Sequence, residues 1–296
     1  MAQQNSLSLL EFQKNFDTES KCQTHLFKHK WPNGYKCEKC GCTEFYLIEK
    51  RHHYQCKNCR YQASLTSGTV MHKTRIELVK WFWAIYLIAK DKRGISALAL
   101  QRELKISYPT AWTMVHKIRH AMAIQDENYQ LANIVEIDEA YFGGPGKKKR
   151  GRGTSKSKVV VAVSTTDDGK PLFAKLTVVE EITKQTVSNL ITDNVEWCTK
   201  IKSDGLNVYK HLSDSTIYKH TQVTNDSENL PWVHKIISNA KSFILGTYHG
   251  LGKKHLQSYL SEFAYRFNRR FWQSQLFDRL LNACVLNKGL TFAELT

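Results

Sequence analysis

Two cysteine pairs, Cys37/Cys40 and Cys56/Cys59, each enclose two residues and stand fifteen residues apart. No other feature limits the folding of this chain as strongly. Each Cys-x2-Cys turn aims two thiolates at one point, and two such turns joined by a returning hairpin complete a tetrahedron around one zinc ion. The intervening EFYLIEKRHHY (44–54) supplies the aromatic and β-favouring residues of a ribbon, and Gly34 and Gly41 stand where turns must tighten. Four thiolates fill the coordination sphere, so the expected Zn2+ is structural, whereas a catalytic zinc keeps a position open. Cys42 is a surplus fifth thiol, and the isolated Cys22 reads as a small buried hydrophobe.

The chain has 296 residues, 42% of them hydrophobic, enough for two domains or one large domain with an appendage. Lys and Arg number 43 against 27 acidic residues, a formal net charge of +16 that favours a polyanionic partner, nucleic acid first. Solubility and anionic lipid are the other uses of such a surface. The opening MAQQNSLSLLEFQKNF lacks the basic start and long apolar run of a secretory leader. The longest apolar run, Trp81 to Ala89, is nine residues, whereas a bilayer span needs about 20. A cytoplasmic location is expected, and there cysteines serve metals more often than disulfides.

Helical periodicity marks 7–16 as a short amphipathic packing helix and 77–90 (ELVKWFWAIYLIAK) as a buried one that ends at Gly94. ISALALQREL (95–104) and YPTAWTMVHKIRHAM (108–122) flank a short break, the grammar of a helix-turn-helix. Ser107 suits the cap of the second helix and Pro109 its first turn. That leaves Thr110, Thr113, Lys117, Arg119 and His120 as candidates for DNA contact, although a plain helical bundle shows the same spacing. QDENYQ (125–130) reads as a linker, with a new domain from about Ala132.

That domain opens on IVEIDEAYFGG (134–144), an alternating strand that holds Asp138 rigidly, with Glu136 on the same face and Glu139 on the opposite one. A carboxylate fixed in this way suits a hard cation. The loop that follows carries Lys147, Lys148, Lys149, Arg150 and Arg152 among glycines and is expected to track phosphates. Strands at 159–164 and 172–179, a helix at 183–195 and a strand at 199–203 ending in Asp204-Gly205 give the order β-β-β-α-β. If the first and fourth strands are neighbours in a mixed sheet, Asp138 and Asp204 meet.

This order, with Asp on the first and fourth strands, resembles the ribonuclease H-like α/β fold of DDE transposases and retroviral-type integrases. WPNGYKCEKC with its second CxxC, VEIDEAYFGG, the basic glycine loop, KSDGLNVY and LGTYHGLGKKHLQSYLSEFAYRFNRR resemble the zinc-ribbon transposases of bacterial insertion sequences. The resemblance implies a mixed sheet flanked by helices, preceded by a zinc ribbon and a helix-turn-helix bundle. It implies residues 1–66 for the N-terminal helix and ribbon, 74–122 for the helix-turn-helix, 132–270 for the catalytic domain and 271–296 for a C-terminal helix.

The same resemblance implies two catalytic Mg2+ (or Mn2+) ions held by Asp138, Asp204 and a third side chain, which cut and join double-stranded DNA at terminal inverted repeats and target. Pairing of two ends implies a homodimer or larger assembly, in a bacterial cytoplasm and on the nucleoid when bound to DNA. The family's third residue is Glu on the helix after the fourth strand. Here that helix reads PWVHKIISNAKSFILG, and His234 and Asn239 are the two candidates, with Glu139 or Glu228 as possible compensating charges. Lys241, seven residues after His234, matches the family's phosphate-holding cation. Arg266, Asn268, Arg269 and Arg270 are expected on the DNA backbone, and Phe271 and Trp272 are expected to pack the helix 271–285 against the catalytic domain. A catalytically silent DNA-binding protein and a nuclease of the same fold are the alternatives.

Overall fold

A computed structural model of the chain describes residues 7–143, 156–214, 216–223, 229–249 and 251–295. The chain divides into two compact units, one made of 1–125 and 272–296, the other of 126–271.

In the first unit, α1 (Leu9–Asn15) starts with a capping box in which Ser8 Oγ accepts from the Glu11 amide and the Glu11 carboxylate accepts from the Ser8 amide. Helix α2 (Glu19–Lys30) is not legible from periodicity, because its mixed polar composition shows little. It is fixed from outside: Glu19 accepts the amides of Leu78 and Val79 at 2.9 and 3.2 Å and so caps α3 (Leu78–Lys90). The ribbon follows α2 as an antiparallel sheet of β1 (Phe45–Ile48), β2 (His53–Cys56) and β3 (Gln62–Ser64). Gly34 and Gly41 take φ of +87° and +73°, the tight turns expected of them.

Helix α3 is buried around most of its circumference, as its composition requires. Helices α4 (Ala97–Leu104) and α5 (Tyr108–Glu127) form the two-helix motif, with Lys105 at φ +49° in the turn and Ser107 Oγ accepting the Thr110 amide. Helix α5 runs on through half of the expected linker to Glu127, where Asp126 is anchored by Arg269 and Asn268.

The C-terminal helix departs from expectation. A 3-10 stretch, Arg270–Gln275, breaks helical geometry at Trp272, and α9 begins only at Leu276 and runs to Leu286. It belongs to the first unit rather than to the second. Its Phe277 ring lies 5.3 Å from both Phe12 and Phe16, in an aromatic core with Phe82 and Tyr86. Burying such rings stabilises each contact by about 0.5–1.5 kcal/mol beyond area alone, so the apolar face of α9 belongs there. Phe271 is 67% exposed, so it does not serve the packing role expected of it. Beyond α9, a Cβ at Gly289 would stand 2.7 Å from the Val70 backbone, so only glycine admits this approach.

The second unit is a five-stranded mixed sheet in the order β6-β5-β4-β7-β8, formed by β4 (Ile134–Phe142), β5 (Ser157–Thr165), β6 (Pro171–Val179), β7 (Lys200–Ser203) and β8 (Lys219–Gln222). Strands β4, β5 and β6 pair antiparallel, whereas β7 pairs parallel with both β4 and β8. One face is covered by α7 (Pro231–Tyr248) and α8 (Leu256–Asn268), which pack Val233, Ile236, Ala240 and Leu260 on Ala140, Phe142, Val159, Val161 and Val163. The other is covered by α6 (Lys184–Asn194), with Val187 and Ile191 against Val135, Ile137, Val160 and Ile201. Strand β5 is apolar at successive positions because it is buried on both faces. The ribonuclease H-like α/β order is therefore present, with β8, a strand that the sequence did not disclose, as the fifth.

The free edge of β6 is occupied by side chains of α8. Gln257 accepts the Val178 amide at 2.8 Å and donates to the Leu176 carbonyl at 2.9 Å. Asn268, eleven residues or about three turns later, accepts the Ala174 amide and donates to the Ala174 carbonyl. Arg270 donates to the carbonyls of Leu172 and Pro171. Side chains thus satisfy an edge that otherwise invites another strand.

Candidate functional site

Parallel pairing of β4 with β7 ends at Ile137–Ser203. Asp138 and Asp204 are the next residue on each strand, so the register sets the two carboxylates side by side at the end of the pairing. Glu139 joins them: one oxygen from each of Asp138, Glu139 and Asp204 lies within 4.8 Å of the others. Alternation along β4 sets Glu139 on the face of Val135, Ile137 and Tyr209, as expected, and its carboxylate still meets the other two at the strand end. Beyond Ile137–Ser203 the edge of β4 has no β7 partner.

Asp138 is 15% exposed. Burial pushes its pKa up to about 6, reinforced by the charges of Glu139 and Asp204 and opposed by the Glu139 amide, 2.7 Å from Oδ1, and by His234. Burial, then the charges of Glu139, Asp138 and Asp204, hold the Tyr209 phenol well above its ordinary range. The hydroxyl therefore stays protonated and donates to Glu139 Oε2. Three carboxylates sharing a partly dry pocket are an all-oxygen donor set suited to a hard divalent cation.

Helix α7 brings His234 to this site. Its N-cap position is Leu230, which has no polar side chain, and Pro231 holds the first turn. The cap comes from the sheet: buried Glu136 accepts the amides of Trp232 and Val233, both at 2.9 Å. Burial raises the Glu136 pKa, and these two amides oppose the shift. The next residue, His234, places Nδ1 3.6 Å from Asp138 Oδ2, while its Nε2 is buried without a hydrogen-bond partner among the described residues. Glu136 thus shares a face with Asp138 as expected, but it positions a helix.

Asn239 lies five residues further along α7, about 140° around the axis from His234, and is exposed. The structure brings His234, and not Asn239, to Asp138. Lys241 sits near Phe142, with Nζ 5.7 Å from the ring centroid. Its pKa is lowered by burial first and then by Lys156, with Asp138 opposing. Lys147, Lys148, Lys149, Arg150, Arg152 and Glu228 lie outside the described residues.

Several expected DNA contacts are internal. Arg269 is 6% exposed, paired with Asp126 at 2.6 Å and stacked 3.6 Å from the Tyr265 ring centroid. Arg266 pairs with Glu262 at 2.6 Å, and Asn268 and Arg270 serve the β6 edge. Asn268 and Arg270 fasten the end of α8 to the sheet, whereas Arg269 ties it to Asp126 and Arg266 pairs within the helix. In the two-helix motif Arg119 is 2% exposed, so it faces the core. Lys117 is half-buried, and burial lowers its pKa. Exposed positions around the turn include Arg102, Lys105 and Tyr108. Sequence spacing could have found these from the turn itself.

At the ribbon, Cys37 and Cys59 stand 3.5 Å apart at sulfur, as do Cys40 and Cys56. All four sulfurs lie within 4.8 Å of one another. A tetrahedral zinc with Zn–S near 2.3 Å needs sulfur separations of about 3.8 Å, so the four fit the ion. The two knuckles repeat one geometry: the amides of Gly41 and Arg60, both at positive φ, donate to the carbonyls of Cys37 and Cys56. Amides of Cys59 and Asn58 lower the Cys56 pKa, which favours the thiolate that a metal requires. Cys42 bonds the Glu44 carbonyl instead.

A ribonuclease H-like sheet with carboxylates at adjacent strand ends, in a chain that carries a four-cysteine ribbon, defines a transposase of the DDE class. Residues 130–268 match the ISXO2-like transposase domain, and residues 17–62 match the transposase zinc-ribbon domain. The chain belongs to this family of zinc-ribbon insertion-sequence transposases. It is 26% identical over 281 residues to an uncharacterized protein in transposable element ISH50 of Halobacterium salinarum, covering 86% of this chain and 92% of that one. Two solved Mos1 structures show only distant likeness. A transposase paired-end complex with the left transposon end has a TM-score of 0.32 and 10% identity over 70% of this chain and 79% of that one. A pre-cleavage transpososome has a TM-score of 0.30 and 14% identity over 71% and 79%. Among the described residues no helix is long and apolar enough to cross a membrane.

Proposed function

We propose that this transposase binds double-stranded DNA at the terminal inverted repeats of its element and cuts and joins it at Asp138, Asp204 and His234. The supporting observation is the strand-end register: Asp138 and Asp204 follow the last β4–β7 pair, and His234 stands 3.6 Å from Asp138. Mg2+ or Mn2+, when bound there, would supply Lewis-acid activation of an oxygen nucleophile and charge stabilisation at the leaving oxygen. Asp138 and Asp204 would hold the cations, Glu139 would add charge to the set, and Tyr209 fixes the Glu139 carboxylate by its hydroxyl. Glu136 positions His234 by capping α7. Lys241 lies where it can meet a phosphate as the scissile strand enters. The sheet domain, about 132–270, carries this chemistry.

The formal charge of +16 supports DNA as the partner. The ribbon and the helix-turn-helix at 74–122 recognise the ends, with Arg102, Lys105 and Tyr108 at the exposed turn, and the basic loop 147–152 tracks phosphates. Joining two ends calls for a homodimer or larger assembly on DNA. The test is to measure end binding and Mg2+-dependent nicking on DNA carrying the repeat, for the wild type and Asp204→Ala. Binding retained with nicking abolished supports the proposal, and nicking by Asp204→Ala refutes it.

A further inference from the structure

We infer that His25, His29 and Asp278 form a second metal site, a two-histidine, one-carboxylate centre for zinc or a cation of similar ligand preference, which clasps the last long helix to α2. The site is separate from the ribbon and from the acidic cluster.

The geometry starts with spacing. His25 and His29 are four apart on α2, so they share one face a single turn apart. Their Nε2 atoms stand 3.2 Å from each other. Asp278, in the first turn of α9, sets Oδ1 3.0 Å from His25 Nε2 and 3.7 Å from His29 Nε2. Two imidazole nitrogens facing each other need a proton or a cation between them, since two lone pairs repel. A tetrahedral zinc with nitrogen and oxygen ligands at 2.0–2.1 Å requires ligand separations of about 3.3–3.4 Å. The three observed separations bracket that value. The donors also mix nitrogen and oxygen in the manner zinc accepts.

The surroundings favour a built site over a chance cluster. The His25 ring is held by Phe16 at 4.9 Å, Phe82 at 6.0 Å and Phe277 at 6.3 Å between centroids, so packing fixes the imidazole before any cation arrives. A cavity of about 420 Å3, lined by His25 and Asp278 with Ser20, Lys21, Thr24 and Lys28, gives space for water or an anion as the fourth ligand. His25 and Asp278 are separated by 253 positions in sequence. A cation here closes a long loop and ties the C-terminal helix to the helix that leads into the ribbon.

The acidic cluster can also take zinc, so the test uses full-length Asp138→Asn/Asp204→Asn protein. Zinc per chain is measured with Zn2+ in excess, X-ray absorption reports the ligand shell, and melting temperature is followed as Zn2+ is added. The expected result is two zinc ions per chain in a mixed sulfur and nitrogen/oxygen shell, with melting raised by zinc. Adding His29→Gln, which keeps a hydrogen-bonding side chain of similar length, should leave one zinc in an all-sulfur shell and remove the second rise in melting. One zinc in an all-sulfur shell before His29 is changed overturns the inference and leaves a proton-held triad. A second zinc that persists in both His29→Gln and Asp278→Asn overturns it as well. Should a variant fold poorly, the shell of the parent protein decides alone.

Discussion

Glu136 accepts the Val233 amide at 2.9 Å and thereby fixes the first turn of α7, whose next residue, His234, stands beside Asp138. A sheet carboxylate thus acts as the helix cap that α7 lacks in its own sequence. Charge-assisted bonds of this kind stabilise by about 1.5–3 kcal/mol. Glu136→Ala should cost about 2 kcal/mol in denaturant unfolding and lower cleavage while DNA-end binding persists. Unchanged stability and cleavage would show that Glu136 does not hold the helix.

Asp138 gives the site a pH signature. Its folded pKa, about 6, lies above the ordinary value of 3.8, so the fold favours the protonated form. That contribution is complete below about pH 4 and is lost as pH rises through 6. In chelator, wild-type stability should fall by about 1–3 kcal/mol relative to Asp138→Asn between these limits. Mg2+ should remove most of the difference. Parallel stability profiles in chelator would contradict the burial argument.

The β6 edge depends on Gln257 and Asn268. Asn268→Ala leaves the Ala174 amide and carbonyl without these partners and should destabilise by about 1–3 kcal/mol. With Gln257→Ala added, the exposed edge should promote self-association, visible as a larger species by light scattering. A stable monomer of normal melting temperature would argue against this role for α8.

Arg269 and the basic loop should behave in opposite ways. Arg269→Ala leaves Asp126 buried without its cation and held by Asn268 alone, so it should cost about 3 kcal/mol of stability while leaving the salt dependence of DNA binding intact. Neutralising Lys147, Lys148 and Lys149 together should flatten that salt dependence by roughly one unit of slope for each phosphate that no longer meets a cation and leave melting unchanged. The reverse pattern would return Arg269 to the DNA surface.

What the sequence disclosed follows from periodicity and spacing. The cysteine pairs carry their geometry in two-residue turns, and the alternation of 134–142 fixes the Glu136–Asp138 face. That Asp138 meets Asp204 is legible only on the condition that the first and fourth strands are neighbours, which the family resemblance implies. Other features depend on long-range pairing, which local pattern does not encode. Arg269 and Arg270 look like a DNA-facing cluster until Asp126, 143 positions away from Arg269, and the β6 carbonyls are found beside them. The docking of α9 in the first unit depends on Phe12 and Phe16, distant in sequence. The meeting of Glu139 with Asp204 at the end of β7 is likewise a contact between distant segments.

The most direct test is Mg2+-dependent cleavage and strand transfer on labelled DNA carrying the terminal repeat, comparing wild type with Asp138→Ala, Asp204→Ala, His234→Ala and Asn239→Ala. Both Asp variants and His234→Ala should lose cleavage by roughly a hundredfold or more with end binding intact, and Asn239→Ala should stay close to wild type. Cleavage that survives His234→Ala but disappears in Asn239→Ala would contradict the proposed site.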